Sequence, residues 1–188
     1  MEKTINYMFI GDYNSGKTSI IQTFVNGHTV HCHANTIGID IDFKTVFVKG
    51  ESVKLRIKDT AGQDRFKSMI SRFYNDVDIF FIVFDISSEI SFNNMVYWIE
   101  EAVNVSQAKI YIVGNKIDRI RKVSFKDAHS LAKQYNFKYI ETTISDFKTI
   151  ETLFMYPFKS KVHEFDKSNQ NHVLDLNDLK RPKCCMIG

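Results

Sequence analysis

The 188-residue sequence predicts an α/β fold: a six-stranded, mostly parallel sheet with one antiparallel edge strand and helices on both faces. Short apolar segments alternate with segments of helical periodicity, which is typical of strands and helices that alternate along the chain. Residues 78–85 and 109–114 are apolar except at their ends, as expected of strands covered on both faces. Residues 40–48 and 53–57 flank a Lys-Gly turn and predict the antiparallel hairpin.

The first half of the chain predicts a strand, a helix and that hairpin. Residues 7–10 form an apolar run that stops at Gly11, which predicts a buried strand. In residues 17–25, apolar side chains recur every three or four positions and predict a helix. Residues 53–57 alternate apolar and charged side chains, as in a strand with one exposed face.

The second half predicts helices between and after the two apolar strands. Residues 91–105 show helical periodicity, and the side chains expected to face the core are Met95, Trp98, Ile99 and Ala102. Further elements are a helix over 127–135, a short strand at 139–140 and a helix over 150–162. We expect Pro157 to kink or shorten this last helix, because proline removes a helical hydrogen bond.

Composition indicates one folded domain and excludes several classes of protein. Hydrophobic residues make up 44% and charged residues 25%, which excludes wholesale disorder, collagen and coiled coil. The net charge of +3 is too small to indicate a nucleic-acid partner. After about Phe165 the chain becomes polar and aperiodic, so we expect a domain over residues 1–165 and a flexible tail over 166–188. No signal peptide and no bilayer-spanning run, which takes about 20 apolar residues, is expected.

Residues 11–18, Gly-Asp-Tyr-Asn-Ser-Gly-Lys-Thr, match the phosphate-binding pattern G-x-x-x-x-G-K-[ST] between a strand and a helix. Backbone N–H groups of such a loop and the helix N-terminus bind phosphates, the lysine reaches the outer phosphates, and the hydroxyl binds Mg²⁺. The residues expected to contact a nucleotide here are Asp12, Tyr13, Asn14, Ser15, Gly16, Lys17, Thr18 and Ser19.

Residues 115–118, Asn-Lys-Ile-Asp, follow a buried strand and favour guanine over adenine. The carboxylate of Asp118 can accept hydrogen bonds from the ring N–H and the amine of guanine, a donor pair that adenine lacks. Asn115 can tie this loop to the phosphate loop, and the stem of Lys116 can cover the base. The alternative for this tetrapeptide alone is an ordinary capped turn.

Residues 59–63, Asp-Thr-Ala-Gly-Gln, end the second strand of the hairpin. An aspartate here can hold Mg²⁺ through water, and the N–H of Gly62 can approach a γ-phosphate because no side chain blocks it. Gln63 can orient the water that attacks the γ-phosphate, and it is the predicted catalytic residue. The alternative is a plain solvent-exposed turn.

These motifs, in this order, resemble those of the Ras superfamily of small GTPases, and within it the Rab family. The resemblance covers residues 3 to about 165 and the last few residues. Further Rab-like segments are found at residues 36–40, 54–57, 65–68, 73–74 and 84–87. The absence of a helical insertion after Asp118 distinguishes the chain from Rho-like proteins.

The resemblance implies a switch between GDP and GTP with slow, Mg²⁺-dependent hydrolysis. Thr36 would close over Mg²⁺ and the γ-phosphate, with Thr18 and, through water, Asp59 as the other magnesium ligands. Thr143 and Ile144 would lie beside the base, with the Ile144 N–H bonding the guanine oxygen. Two switch loops, at about residues 27–36 and 62–74, would be ordered by the γ-phosphate and released after hydrolysis. The implied partners are exchange factors, activating factors and effectors that read these loops.

The end of the chain, with Cys184 and Cys185, resembles a Rab prenylation signal and follows a basic run at residues 180–183. Adjacent cysteines do not predict a disulfide, which favours a reducing compartment. The resemblance implies escort and dissociation-inhibitor proteins, a prenyl anchor on the cytoplasmic face of an endomembrane, and cycling through the cytosol. The alternative is a disordered end with chance cysteines.

The sequence also departs from the Rab pattern. Tyr13 stands where these proteins usually carry serine, beside the expected γ-phosphate, so we expect slow hydrolysis. Thr29 replaces an aromatic ring that flanks guanine, so we expect faster nucleotide release. Of the aromatic triad that Rab effectors read, here at Ile41, Lys58 and Phe73, one aromatic residue is left, and a distinct effector set is expected. The rival to a hydrolysing switch is a scaffold that holds GTP and barely hydrolyses it.

Overall fold

The structure is a computed structural model that describes residues 3–31, 36–62 and 70–159. Within these ranges it has a six-stranded sheet with the strand order β2-β3-β1-β4-β5-β6. The strands are β1 Lys3–Ile10, β2 Ile39–Val48, β3 Glu51–Thr60, β4 Ile79–Asp85, β5 Lys109–Asn115 and β6 Lys138–Thr142. The α-helices are α1 Lys17–Asn26, α2 Glu89–Asn93, α3 Met95–Val105, α4 Phe125–Gln134 and α5 Phe147–Lys159, and Ser71–Phe73 form a short 3-10 helix.

The sheet confirms the predicted fold class. The β2–β3 pair is antiparallel, and the other neighbouring pairs are parallel. Every residue of β4 is buried, as expected of a strand covered on both faces. Helices α3 and α4 pack on one face of the sheet, and α1 and α5 pack on the other.

An aromatic cluster fills the core between the sheet, α1 and α5. The rings of Phe24 and Phe154 stack with centroids 3.8 Å apart, and Phe154 also lies against Phe9 at 5.3 Å. The hydroxyl of Tyr7 donates to the carbonyl of Phe154 at 3.0 Å, which satisfies a polar atom inside the core. Burial raises the pKa of Tyr7, so this hydroxyl stays protonated. The cluster therefore fixes α1, which begins at the phosphate loop, against the sheet.

The predicted helix over residues 91–105 is two helices that meet at Asn94. Its first part begins earlier than predicted, after Ser88, whose side chain accepts a hydrogen bond from the Ser91 N–H as an N-cap. The inward positions are as predicted: Met95, Trp98, Ile99 and Ala102 are buried. Periodicity thus identified the buried face but not the break.

Helix α5 begins before the predicted start and includes Pro157. Pro157 is buried and lies near the end of the helix, which continues to Lys159. The predicted extension to residue 162, the domain boundary near 165 and the tail lie outside the described residues. No helix of the described ranges is both long and apolar enough to cross a membrane.

The parallel strands end at one edge of the sheet and bring the predicted motifs together there. Phe9 and Asp59 are paired across β1 and β3, just before the phosphate loop. Asp85, Asn115 and Thr142 form one row across the ends of β4, β5 and β6. Ligands bind to open α/β sheets at this edge, so it is the place to look for a site.

Candidate nucleotide-binding site

A cavity of about 380 Å³ opens at this edge of the sheet. Most of the predicted site residues line it: Tyr13, Asn14, Gly16, Lys17, Thr18, Ser19, Thr36, Gly62, Asn115, Lys116, Asp118, Thr143 and Ile144. Residues that are more than 100 positions apart in the chain thus share one cavity.

The phosphate loop needs residues that tolerate unusual backbone angles. Gly11 has a φ of 135°, and a Cβ there would lie 2.1 Å from the carbonyl oxygen of Val83, so only glycine fits. Asn14 has a φ of 60°, in the left-handed region that asparagine tolerates. Gly62 meets this loop closely, because a Cβ on Gly62 would lie 2.4 Å from the backbone nitrogen of Tyr13. The start of the second switch loop therefore touches the phosphate loop.

Lys17 is a buried cation in the wall of the cavity. Its Nζ donates to the carbonyls of Gly11 and Asp12, each at 2.9 Å. Burial lowers the pKa of Lys17 to about 8, although the carboxylates of Asp59 and Asp12 oppose this shift. Two neutral carbonyls only partly compensate a buried charge, so an anion beside Lys17 would stabilise it further.

The side chain of Asp12 does not line the cavity. Its carboxylate accepts hydrogen bonds from the Asn94 amide and the Trp98 indole N–H, both at 2.7 Å. Asp12 therefore fixes the phosphate loop to α3, and its expected contact with a nucleotide is left to its backbone. Sequence reasoning placed Trp98 in the core and missed this polar contact.

Thr18, Thr36 and Asp59, the residues expected to hold Mg²⁺, lie close together. The hydroxyls of Thr18 and Thr36 donate to Oδ2 of Asp59 at 2.6 and 3.1 Å and lie 2.9 Å from each other. The other oxygen of Asp59, Oδ1, is buried and has no hydrogen-bond partner among the described residues. Burial raises the pKa of Asp59, since nothing neutralises the carboxylate fully. This set of hard oxygen ligands fits Mg²⁺.

Asn115 ties the base loop to the phosphate loop, as predicted. Its Nδ2 donates to the carbonyl of Ser15 at 2.8 Å, while its Oδ1 is buried without a described partner. The neighbouring Lys116 donates to the carbonyl of Asn14 at 2.6 Å. Hydrogen bonds from Asn115 and Lys116 therefore join the base loop directly to the phosphate loop.

Asp85, which sequence analysis did not single out, holds Lys116. Its Oδ2 lies 2.7 Å from Nζ of Lys116, and Ser87 donates to its other oxygen. Burial alone would raise the pKa of Asp85, but the hydrogen bonds from Lys116 and Ser87 outweigh it and lower that pKa. The carboxylate thus stays charged, and it fixes the Lys116 stem beside the cavity.

A threonine network holds Asp118 and the loop after β6. The hydroxyl of Thr143 donates to the carboxylate of Asp118. Thr149, in the first turn of α5, accepts from the Thr143 N–H at 3.1 Å and donates to the carbonyl of Asp146 at 2.8 Å. Sequence analysis missed Thr149, because it lies inside the helix and not at the N-cap position where a hydroxyl is a known local signal.

Of the three predicted effector residues, two lie on the surface and one does not. Ile41 is 41% exposed and Phe73 is 42% exposed, but Lys58 is fully buried. Its Nζ donates to the carbonyl of Phe73 at 3.0 Å and pairs with the carboxylate of Asp76. The expectation that Lys58 presents its side chain to effectors is therefore corrected, because the segment that follows the 3-10 helix covers it.

Tyr13 and Thr29, which depart from the Rab pattern near the expected nucleotide, both lie within the described residues. Tyr13 lines the cavity with 54% of its surface exposed. Thr29 does not line the cavity, but its hydroxyl donates to the carbonyl of Ile144 at 2.8 Å. Gln63, Cys184 and Cys185 lie outside the described residues.

The fold and the cavity define a P-loop nucleotide-binding protein, and comparison with known proteins gives the family. The model of the Ras family matches residues 6–162. The chain is 32% identical over 170 residues to Ras-related protein Rab-19 of Homo sapiens, which covers 86% of the chain and 78% of the relative. It is 34% identical over 176 residues to GTP-binding protein yptV2 of Volvox carteri, with coverage of 90% and 81%. The chain belongs to the Ras family, as a divergent Rab-like small GTPase.

Proposed function

We propose that this GTPase is a Rab-type switch in vesicle transport that binds GDP or GTP with Mg²⁺, hydrolyses GTP slowly and is anchored to membranes by prenylation. One observation carries the nucleotide part of the proposal: the hydroxyls of Thr18 and Thr36, which line the cavity, converge on the Asp59 carboxylate, and Asn115 and Asp118 line the same cavity. A phosphate site, a magnesium site and a base site are thus within reach of one ligand.

The base end of the cavity has the chemistry to select guanine. The Asp118 carboxylate can accept two hydrogen bonds from guanine, and the Thr143 hydroxyl holds it in place. The N–H of Ile144 can donate to the guanine oxygen. Lys116, held by Asp85, covers the base with its apolar stem. Adenine would leave the carboxylate without donors, so it would bind far more weakly.

At the phosphate end, Lys17 and the loop N–H groups would bind the outer phosphates. Thr18, Thr36 and, through water, Asp59 would hold Mg²⁺, which when bound neutralises phosphate charge. Because Thr36 belongs to the first switch loop, its hydroxyl would report whether a γ-phosphate is present. Gln63 would orient the attacking water, and the N–H of Gly62 would donate to the γ-phosphate.

The nucleotide content of the purified protein, followed by its single-turnover hydrolysis rate, tests the nucleotide part of this proposal. We expect bound GDP or GTP and a slow rate that requires Mg²⁺. Bound GTP with no measurable turnover would favour the scaffold, for which the bulk of Tyr13 in the cavity is the supporting observation. A protein that carries no guanine nucleotide and does not bind added GDP would contradict both functions.

Replacing Tyr13 with Ser should speed hydrolysis. The Tyr13 ring is in the cavity lining, where the attacking water and Gln63 must be placed, and a displacement of about 1 Å can cost a factor of roughly 100 in rate. We expect Tyr13→Ser to raise the single-turnover rate about 10- to 100-fold. Tyr13→Phe is the matched control, because it keeps the ring and loses only the hydroxyl, and it should stay slow. Equal rates for Tyr13→Ser and the wild type would remove the idea.

The membrane part of the proposal concerns the end of the chain and the exposed surface. Cys184 and Cys185 would carry two prenyl chains, since one chain alone gives only marginal membrane binding. Escort and dissociation-inhibitor proteins would carry the lipidated form through the cytosol, and effectors would read Ile41 and Phe73. Partition of the expressed chain into membranes, compared with a Cys184→Ser/Cys185→Ser variant, checks the anchor. An unchanged partition would contradict it.

A further inference from the structure

A hydrogen bond connects the loop after α1 with the loop that should contact the base. The hydroxyl of Thr29 donates to the carbonyl oxygen of Ile144 at 2.8 Å, across 115 positions of sequence. Ile144 lines the cavity and Thr29 does not. The hydrogen bond to Ile144 therefore gives Thr29 a route by which it can act on a bound base.

Thr29 sits in a segment that is fixed to α1. The N–H of Val30 donates to the hydroxyl of Thr23 at 3.0 Å, and Thr23 is fully buried. The N–H of Gly27 donates to the Thr23 carbonyl at 3.1 Å and ends the helix. Because the N–H groups of Gly27 and Val30 hold this segment to Thr23, the Thr29 hydroxyl has a defined position. Its hydrogen bond can therefore restrain the loop that contains Ile144.

The Ile144 loop is fixed at its other side by Thr149, whose hydroxyl accepts from the Thr143 N–H and lies 3.0 Å from the Thr143 carbonyl oxygen. Thr143 is buried, whereas Ile144 is only half-buried. The Thr29 hydroxyl supplies the restraint on the Ile144 side of this loop. The Ile144 carbonyl belongs to the peptide group after its Cα and the N–H to the group before it, so the bond to Thr29 limits the N–H through the two backbone angles of Ile144.

We propose that Thr29 is a positioning residue for guanine recognition: its hydroxyl holds the Ile144 carbonyl and so keeps the Ile144 N–H directed at the guanine O6. The inference rests on the proposed function, since it requires that the cavity binds a guanine base. An aromatic ring was expected at this position by resemblance, and the threonine gives the loop a hydrogen bond instead. Thr29 would thus act on specificity through Ile144, since it does not itself line the cavity.

The first test compares two variants of the full chain that differ by the hydroxyl. Thr29→Val keeps the shape of the side chain and removes the donor, and Thr29→Ser keeps the donor. An exposed hydrogen bond of this kind is worth about threefold to tenfold in an equilibrium constant. We expect Thr29→Val to release GDP about threefold to tenfold faster than the wild type, and Thr29→Ser to release it within about twofold of the wild-type rate.

The second test separates positioning from a general loosening of the protein. The diphosphate of 2-aminopurine riboside lacks O6, and inosine diphosphate keeps O6 but lacks the amine that Asp118 reads. The Thr29→Val effect should disappear with the first nucleotide and persist with the second. An equal fold-change for GDP and the 2-aminopurine nucleotide would overturn the proposal, as would wild-type GDP release from Thr29→Val. Neither of these two results would contradict the proposed function. A wild-type protein that binds no GDP would overturn the proposed function itself.

Discussion

Replacing Asp118 with Asn will weaken GDP binding by roughly 100- to 1,000-fold, because hydrogen bonds to a charged group are worth about 1.5–3 kcal/mol each. In the proposed site the carboxylate would accept from both donors of guanine, whereas an amide offers one acceptor and would place its NH₂ against the second donor. The Thr143 hydroxyl can still donate to the amide oxygen, so the loop should keep its position. Titration calorimetry with GDP on both proteins measures the loss.

Xanthosine diphosphate provides the internal control for this variant. Its 2-oxo group accepts where guanine donates, so it should bind Asp118→Asn more tightly than it binds the wild type. Glu100→Gln, an exposed acid-to-amide change on α3, is the matched variant and should leave GDP affinity unchanged. Loss of affinity for both nucleotides in Asp118→Asn would indicate a damaged fold and contradict the assigned role.

The second large effect concerns stability: Asp76→Ala should lower the free energy of unfolding by about 2 kcal/mol, less than the roughly 3–5 kcal/mol for a wholly buried pair. The Lys58 side chain is 1% exposed and that of Asp76 is 53% exposed, so water partly screens the pair. Without Asp76, the buried ammonium keeps the carbonyl of Phe73 as its described acceptor. Urea denaturation of both proteins at one saturating GDP concentration measures the difference.

Lys58→Met is the control for that experiment. It removes the buried charge together with its need for a partner, so it should cost less than Asp76→Ala. A larger loss for Lys58→Met would contradict the argument that the unpaired ammonium, and not the missing ion pair, is what destabilises the variant.

Acid should remove the contribution of Asp76. The hydrogen bond from Lys58, together with the charges of Lys58 and Arg56, lowers the pKa of Asp76 below its ordinary value. A carboxyl whose pKa falls on folding stabilises the protein above its unfolded pKa of about 3.9, and this contribution is lost as the pH falls through the folded value. The stability gap between the wild type and Asp76→Asn should therefore be constant from pH 5 to 7 and shrink below about pH 4. A gap that widens in acid would contradict this sign.

The order of the elements could be predicted from sequence because the apolar strands and amphipathic helices are strongly periodic. The break at Asn94 could not be predicted, because only one residue separates the two helices. The spacing of Trp98 and Ile99 from the apolar residues before the break is therefore the same as in one continuous helix. Strand β1 begins at Lys3 and not at Tyr7, because its polar first half pairs with β3, and that pairing leaves no apolar pattern. Strand preference depends on packing against the neighbouring strands, so a strand end with few apolar residues is hard to recognise from sequence.

Residues of the candidate site could be predicted from sequence where they belong to a contiguous motif. They could not be predicted where their position depends on contacts between distant parts of the chain. The phosphate loop and the Asn115–Asp118 loop are contiguous, so their residues could be read directly. In the sequence, Lys58 continues the alternation of apolar and charged residues that predicts an exposed side chain. Its burial depends on the segment from Phe73 onward, which folds over it. Asp85, at the end of β4, holds Lys116, which follows the end of β5. Such contacts follow from the sheet order, which periodicity does not give.

The antiparallel pairing of β2 with β3 has a practical consequence for work on this protein. The turn at Lys49 and Gly50 joins these strands, with φ values of 52° and 84°. Since β3 ends at the cavity with Thr60, the turn lies at the far end of the hairpin, and a Cβ on Gly50 would meet open space. A fluorophore or a short affinity tag attached there would lie away from the cavity. One end of the hairpin thus offers a site for labelling, and the other end, at Thr60, lines the cavity.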